Sequence, residues 1–292
     1  MVSGFTVIRN ARLMGYPIVE SISSILPIVD EFVVGVGQSD DDTRELVASI
    51  ASPKISIFDS YWEPSDTSGL ILSEKTNEAL ERCRGEWCFY LQGDEVVHEQ
   101  DHDAIARSLE RYRQDDRVEG LLFDYVHFYG SYDVVATARN WYRREVRAIK
   151  RQLGVRSFGG AQGFRAHDRK PRVRPGGGAI YHYGWAKPPR LMGAKNKYMQ
   201  RWWHGDRYDH AFDNYAYKHG YGLEPFRGSH PAIMRPLVAA QDWAFSPAPR
   251  LSDWTAKDYK NWLSDLAERV TGHRFGERRN YELLEPAYDG DR

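Results

Sequence analysis

The sequence predicts a mixed, mostly parallel α/β sheet flanked by helices, followed by a helical, aromatic-rich C-terminal extension. Three observations carry this reading. Short β-prone apolar runs alternate with amphipathic helix patterns as far as Leu91, the order changes beyond Gly93, and after Pro188 and Pro189 the chain gathers Trp202, Trp203, Tyr208, Phe212, Tyr215 and Tyr217 on helical segments. Parallel strands need crossover connections, and helices between strands supply them. With 292 residues, 41% hydrophobic and 13% aromatic, the chain can bury a sizeable core. The expected division is a sheet domain over 1–187 and an extension over 188–292 that packs on it, because its aromatics need burial.

In order along the chain, Phe5 to Arg9 reads as a first strand, Asn10 to Gly15 as a loop, and a helix starts near Pro17, whose fixed φ suits a first turn. Ile18, Ile22 and Ile25 give that helix its apolar stripe. Glu31 to Val36 is a second buried strand, GQSDDDT a loop ending at a helix N-terminus, Thr43 to Ile50 the helix, and Ile55 to Phe58 a third strand. Ser73 to Arg84 places Leu72, Thr76, Ala79, Leu80 and Cys83 on one helical face, and Trp87 to Leu91 is the fourth strand. Asp101 to Arg113 follows as a charged helix, with Gly120 to Phe128 and Arg143 to Lys150 as strands. Gly159 to Gly178, rich in glycine, proline and arginine, reads as a loop or lid, Ala179 to Tyr183 as a last short strand, and Asp253 to Val270 as a final helix.

Composition narrows the function classes. No run of about 18 apolar residues occurs, and no basic segment followed by a hydrophobic stretch opens the chain, so neither a membrane span nor a secretory signal is expected and the default address is the cytoplasm. Cys83 and Cys88 are the only cysteines and read as reduced core residues. The net charge of -1 conceals an uneven distribution: from Arg139 to Arg174 twelve basic residues face only Glu145 and Asp168, a balance of +10. Such a band is either a solvated face or a site for a phosphate-rich ligand or nucleic acid.

Ligands of open parallel sheets bind beyond the carboxyl ends of strands. Three strand-end loops here carry polar chemistry: Asn10, the run Gln38 to Asp42, and YLQGDEVVHE, in which Gln92, Gly93, Asp94 and Glu95 leave the fourth strand. Their order resembles the nucleotide-binding half of family 2 glycosyltransferases of the GT-A fold, a Rossmann-type architecture, over roughly residues 5 to 200. Asn10 stands where the family has Asn, with Ala11 in place of the usual acidic neighbour. SDDDT, with Ser39 and Asp41, fits the second motif, although Val36 falls where many members have an aspartate. Lys75 and Asn77 match the helix before the metal-bearing strand. Gln92-Gly93-Asp94 resembles Asp-x-Asp with its first carboxylate turned into an amide.

The resemblance implies a UDP-sugar or other nucleotide-sugar donor contacted by Asn10, Ser39, Asp41, Lys75, Gln92, Gly93 and Asp94, and a Mn²⁺ or Mg²⁺ cofactor on Asp94. Downstream, His167-Asp168, His182-Tyr183, Lys195 and Tyr198 follow the family's order, which makes Asp168 the candidate general base and His182 the candidate second metal ligand. The implied activity is an inverting, metal-dependent glycosyl transfer to a hydroxyl acceptor, a saccharide or lipid-linked glycan. Two alternatives stay open: transfer to hydroxymethylated DNA, with the basic band tracking phosphates, and an inactive nucleotide-sugar-binding module, suggested by Ala11, Val36 and Gln92.

Overall fold

The computed structural model describes residues 1–63, 69–208, 210, 212–247, 251–274, 276–277 and 279–285. Its first half follows the expected alternation: β1 (Val2–Ile8), α1 (Ile18–Ile25), β2 (Glu31–Gly37), α2 (Thr43–Ala48), β3 (Ile55–Ser60), α3 (Ile71–Arg82) and β4 (Trp87–Tyr90). Then come β5 (Glu95–Val97), α4 (His102–Arg111), β6 (Gly120–Tyr129), β7 (Val134–Ala136), β8 (Arg144–Ile149), β9 (Val155–Phe158), β10 (Gly163–Ala166) and β11 (Arg172–Trp185). The extension holds α5 (Pro189–His204), β12 (Leu223–Pro225), α6 (Arg235–Ala239), α7 (Ala256–Thr271) and β13 (Glu282–Leu283). The main sheet runs β12-β7-β6-β8-β4-β1-β2-β3, with β11 beside β6 and β5. Strands β4, β1, β2 and β3 are mutually parallel, and β8 alone runs antiparallel between β4 and β6.

Burial explains the first half. Strand β2 is buried at every position, as a central parallel strand covered on both faces must be. Ile18, Ile22 and Ile25 of α1 are fully buried against Phe32, Val34 and Leu91, while Ala79 and Leu80 of α3 enter a second cluster on the other face with Phe5 and Tyr90. Cys83 and Cys88 are free thiols in that cluster. Among the described residues no helix is long and apolar enough to cross a membrane.

Three expectations change. The segment from Gly159 to Gly178 is no lid: Gly163–Ala166 pairs antiparallel with β9, and its Phe164 and Ala166 are fully buried. The expected short strand at Ala179 extends back to Arg172, because Pro175 to Gly178 forms an irregularity in the register with β6 rather than a break. The extension is not purely helical either, since Leu223–Pro225 adds to β7 and Glu282–Leu283 to β11.

The basic band does not make one face. Arg147 and Lys150 are fully buried, the first against Glu95 and the second donating to the Asp115 carbonyl at 2.8 Å. Arg156 pairs with Glu81, Arg169 and Arg172 with Glu119, and Arg174 donates to the Leu284 carbonyl. These six residues are thus engaged within the protein and do not by themselves form one uniform basic face.

Candidate active site

A cleft of about 390 Å³ opens at the carboxyl ends of β1, β4 and β11, lined in part by Arg9, Tyr16, Trp62, Gln92, Asp94, His182 and Trp185. Its size suits a small-molecule ligand. One wall is α5, which contributes Met192, Lys195, Asn196 and Tyr198, so residues of the extension complete it.

Asp94 reaches the cleft through the tight exit from β4. Gly93 is required there by close approach, since a Cβ would meet Ile8 Cδ1 at 2.7 Å. Beneath it lies a buried ion pair: Arg147 donates through Nε and Nη2 to both Glu95 oxygens at 2.8 Å, and Glu95 also accepts from Tyr125 Oη at 2.8 Å and from the Gln92 backbone N–H at 3.0 Å. Removing one partner would strand the other charge in the interior, at a cost of about 3–5 kcal/mol. Glu95 is thus spent on holding the turn.

Asp94 faces three cations or near-cations. Lys195 Nζ donates to Asp94 Oδ2 at 2.8 Å and to the Gly184 carbonyl at 2.9 Å. Lys187 Nζ donates to the Gly15 carbonyl, and both ammonium groups lie 4.9 Å from the Tyr16 ring centroid. Burial works against the Asp94 carboxylate, but the surrounding positive charge, chiefly Lys195, outweighs it and holds the carboxyl well below its ordinary value. Burial and the neighbouring Lys195 bring Lys187 down to about 7.

On the other side, His182 Nε2 stands 3.8 Å from Asp94 Oδ1. Its tautomer follows from the next contact. His127 Nε2 is 2.7 Å from the Tyr142 carbonyl, which can only accept, so that nitrogen carries a proton. Burial lowers His127 to about 3 and His182 to about 4, leaving both rings neutral near pH 7. His127 Nδ1 is then an acceptor, and His182 Nδ1, 2.9 Å away, must donate to it. His182 Nε2 is left as a bare lone pair aimed toward Asp94. Gly184 makes the convergence possible: a Cβ there would come within 2.6 Å of both Asp94 Oδ2 and His182 Nε2.

Asp94 Oδ1 and the His182 Nε2 lone pair could together ligate a divalent ion completed by water and phosphate, with Asp94 Oδ2 already held by Lys195. Among the described residues no group of three His, Cys, Asp or Glu is placed to hold a metal, so such an ion would need those outside ligands.

The other expected residues divide. Gln92, Gly93, Asp94 and His182 line the one cleft. Asn10 braces two strand-end loops instead: its N–H donates to Ser39 Oγ at 3.0 Å, and its amide exchanges bonds with Asp40. Asp41 accepts from the Leu13 N–H at 2.8 Å and from Thr43, and with Ser39 it borders a separate hollow of about 350 Å³. Lys75 lies 3.4 Å from Glu78, outside the cleft lining.

Asp168 does not join them. It is exposed in the turn between β10 and β11, with φ +67°, beside the Arg169 and Arg172 contacts to Glu119. Glu119 precedes β6, whose Gly120 pairs with Val173 while its His127 pairs with His182. Seven residues of strand, about 23 Å at 3.3 Å per residue, separate those levels, so Asp168 sits at the opposite end of the sheet. Two carboxylates, Glu277 and the buried Glu145, line a larger cavity together with Gln92 and His182. Burial raises the Glu145 pKa, and Glu145 accepts from Asn280 Nδ2 at 3.0 Å.

No family model matches this sequence, and no curated protein does. Solved structures with partial likeness include residues 1–349 of S. aureus TarS, at 18% identity and TM-score 0.32, covering 44% of this chain and 35% of that one. A longer TarS structure gives 12% identity and TM-score 0.40, covering 68% of this chain and 38% of that one. Glucosyl-3-phosphoglycerate synthase from Mycobacterium tuberculosis, in complex with Mn²⁺, UDP and phosphoglyceric acid, gives 14% identity and TM-score 0.37, covering 56% and 61%. The chain thus spans little more than a third of the TarS structures and about three fifths of the synthase.

Proposed function

We propose that this chain is a metal-dependent glycosyltransferase that moves a sugar from a nucleotide-sugar, by first choice a UDP-sugar, to a hydroxyl acceptor with inversion. The observation that carries the proposal is the Asp94–His182 pair with Lys187 and Lys195 around it, at the carboxyl ends of parallel strands. It is a site built for a diphosphate. Asp94 and His182 would hold a Mg²⁺ or Mn²⁺, which when bound supplies positive charge to the departing diphosphate.

The chain's own groups do the rest. Lys195 fixes the Asp94 carboxylate and brings a second positive charge to the phosphates, and Lys187 adds a third when protonated. Gln92 Nε2 donates to the Ala161 carbonyl at 3.3 Å, holding the 159–162 segment over the cleft. Trp185 and Tyr16 add aromatic surface to the cleft. On the far side of the anomeric carbon, Glu145 takes the proton of the acceptor hydroxyl as its oxygen bonds to that carbon. The bond to the diphosphate breaks at the same time and its electron pair leaves with the phosphate, so no covalent enzyme intermediate is formed.

A thermal-shift screen of UDP-, GDP- and dTDP-sugars with and without Mn²⁺ tests the reading, because a ligand of the native state raises the melting temperature by mass action. A donor-specific shift that needs Mn²⁺ is expected. Shifts from none of the donors would remove the proposal.

A further inference from the structure

A chamber of about 1050 Å³ lies beside the cleft, and the proposed reaction leaves most of it unused. It shares Gln92, Gly160, His182 and Trp185 with the cleft, so the two are contiguous at the point where a donor's reacting carbon would lie. Its walls come from the segment leading into β8, from α7 and from the stretch after α7.

The lining is strongly cationic. Arg139, Arg143, Arg144, Lys257, Lys260 and Arg274 face only two lining carboxylates, Glu145 and Glu277. Arg143 is held by Glu268 at 2.6 Å, and Arg274 lies 3.6 Å from Glu268 and 3.8 Å from Glu277. Burial, then the charge of Arg143, lowers the Arg274 pKa against the opposing pull of Glu268 and Glu277. Lys257 and Lys260 stand exposed on α7 at the rim. Trp141, Tyr142, Trp185 and Tyr281 add flat aromatic surface, suited to the faces of a sugar or polyol.

We infer that this chamber binds the acceptor, and that the acceptor is a small hydroxyl compound carrying a phosphate or a carboxylate. The identification of the chamber's ligand as an acceptor rests on the glycosyl-transfer reading; the anion site itself does not. A volume of this order holds a small molecule, not a nucleic-acid duplex. Its anionic group would lie among Arg143, Arg274, Lys257 and Lys260, which leaves a hydroxyl at the Glu145 and His182 end, where the two cavities meet. An uncharged saccharide would make no use of Lys257 and Lys260, whereas Arg143 and Arg274 already have Glu268 and Glu277 beside them.

The test uses the full chain saturated with UDP, so that the diphosphate site is filled, and titrates glycerol 3-phosphate, glycerate and glycerol by calorimetry at low and high salt. At least one of the two anions is expected to bind about tenfold or more tighter than glycerol and to weaken with salt, and comparing the two separates phosphate from carboxylate recognition. The double variant Lys257→Glu/Lys260→Glu, on the exposed rim, is expected to lose about tenfold in anion affinity with an unchanged melting transition. Equal binding of glycerol and both anions, no binding by either anion, or full anion affinity in the variant would each overturn the inference. UDP affinity is read separately: UDP binding without anion binding sinks the chamber and leaves the donor reading standing, whereas anion binding without UDP binding does the reverse.

Discussion

Replacing His127 by Phe keeps a ring of similar size among Tyr125, Trp141 and Tyr142 but removes the acceptor for His182 Nδ1–H. His182 must then either bury an unsatisfied N–H or flip its proton to Nε2, which destroys the lone pair facing Asp94. Either way the ion pays through its second ligand. Loss of a group that orients a metal-bound histidine typically costs 10- to 100-fold in metal affinity, which corresponds to about 1.4–2.7 kcal/mol. Mn²⁺ titration by calorimetry in the presence of saturating UDP is the assay. His127→Phe should weaken Mn²⁺ by about that factor, and His127→Asn, whose Oδ1 can occupy the place of Nδ1 as acceptor, should recover much of the loss. Wild-type Mn²⁺ affinity in His127→Phe, with a clear loss in His182→Ala, would refute the tautomer assignment.

Three further outcomes are expected. Gln92→Asp puts a second carboxylate two residues before Asp94 but cannot donate to the Ala161 carbonyl, so donor affinity measured by calorimetry should fall several-fold, about 1 kcal/mol; a gain would show that the 159–162 segment does not depend on the amide. Lys187 carries its charge below about pH 7 and loses it above, so UDP affinity in the absence of metal should decline as pH rises from 6 to 9, and Lys187→Met should flatten that profile while lowering affinity at pH 6. An unchanged profile in the variant would assign the dependence to another group. Glu145→Gln should reduce turnover by about two to four orders of magnitude with UDP affinity retained; joint loss of both would make Glu145 a structural partner of Asn280.

Much of the architecture was legible because local patterns and long-range packing agree in the first half. The Ile18, Ile22 and Ile25 stripe marks one buried helix face, and the apolar run from Phe32 to Val36 a strand buried on both faces. The Gly159–Gly178 stretch misled because glycine and proline mark bulges inside long strands as well as loops, and only the pairing of β11 with β6 distinguishes them. In the site, the placement of Asp94 and His182 at strand ends beside one cleft was legible from the sequence. His127 was not: a histidine in the apolar run LLFDYVHFY reads as a core residue, and its importance lies in a cross-strand register with His182 that no local pattern encodes. The place of Asp168 in the order of motifs likewise gave no information about which end of the sheet it occupies, and the structure puts it in the turn between β10 and β11. Lys187 and Gly184 owe their roles to close approach, and their neighbours lie far away in the sequence.

The most direct measurement is ³¹P NMR of UDP-sugars incubated with the wild-type chain and Mn²⁺, set beside Asp94→Asn. Asp94 lies at a strand end, and its loss removes the carboxylate from the Lys195 and His182 contacts without touching the core clusters. The wild type is expected to release UDP from at least one UDP-sugar, slowly to water and faster with an anionic polyol. Asp94→Asn should keep a folded melting transition and release essentially none. Release at the wild-type rate by Asp94→Asn, or no release and no binding of any nucleotide-sugar by the wild type, would contradict it.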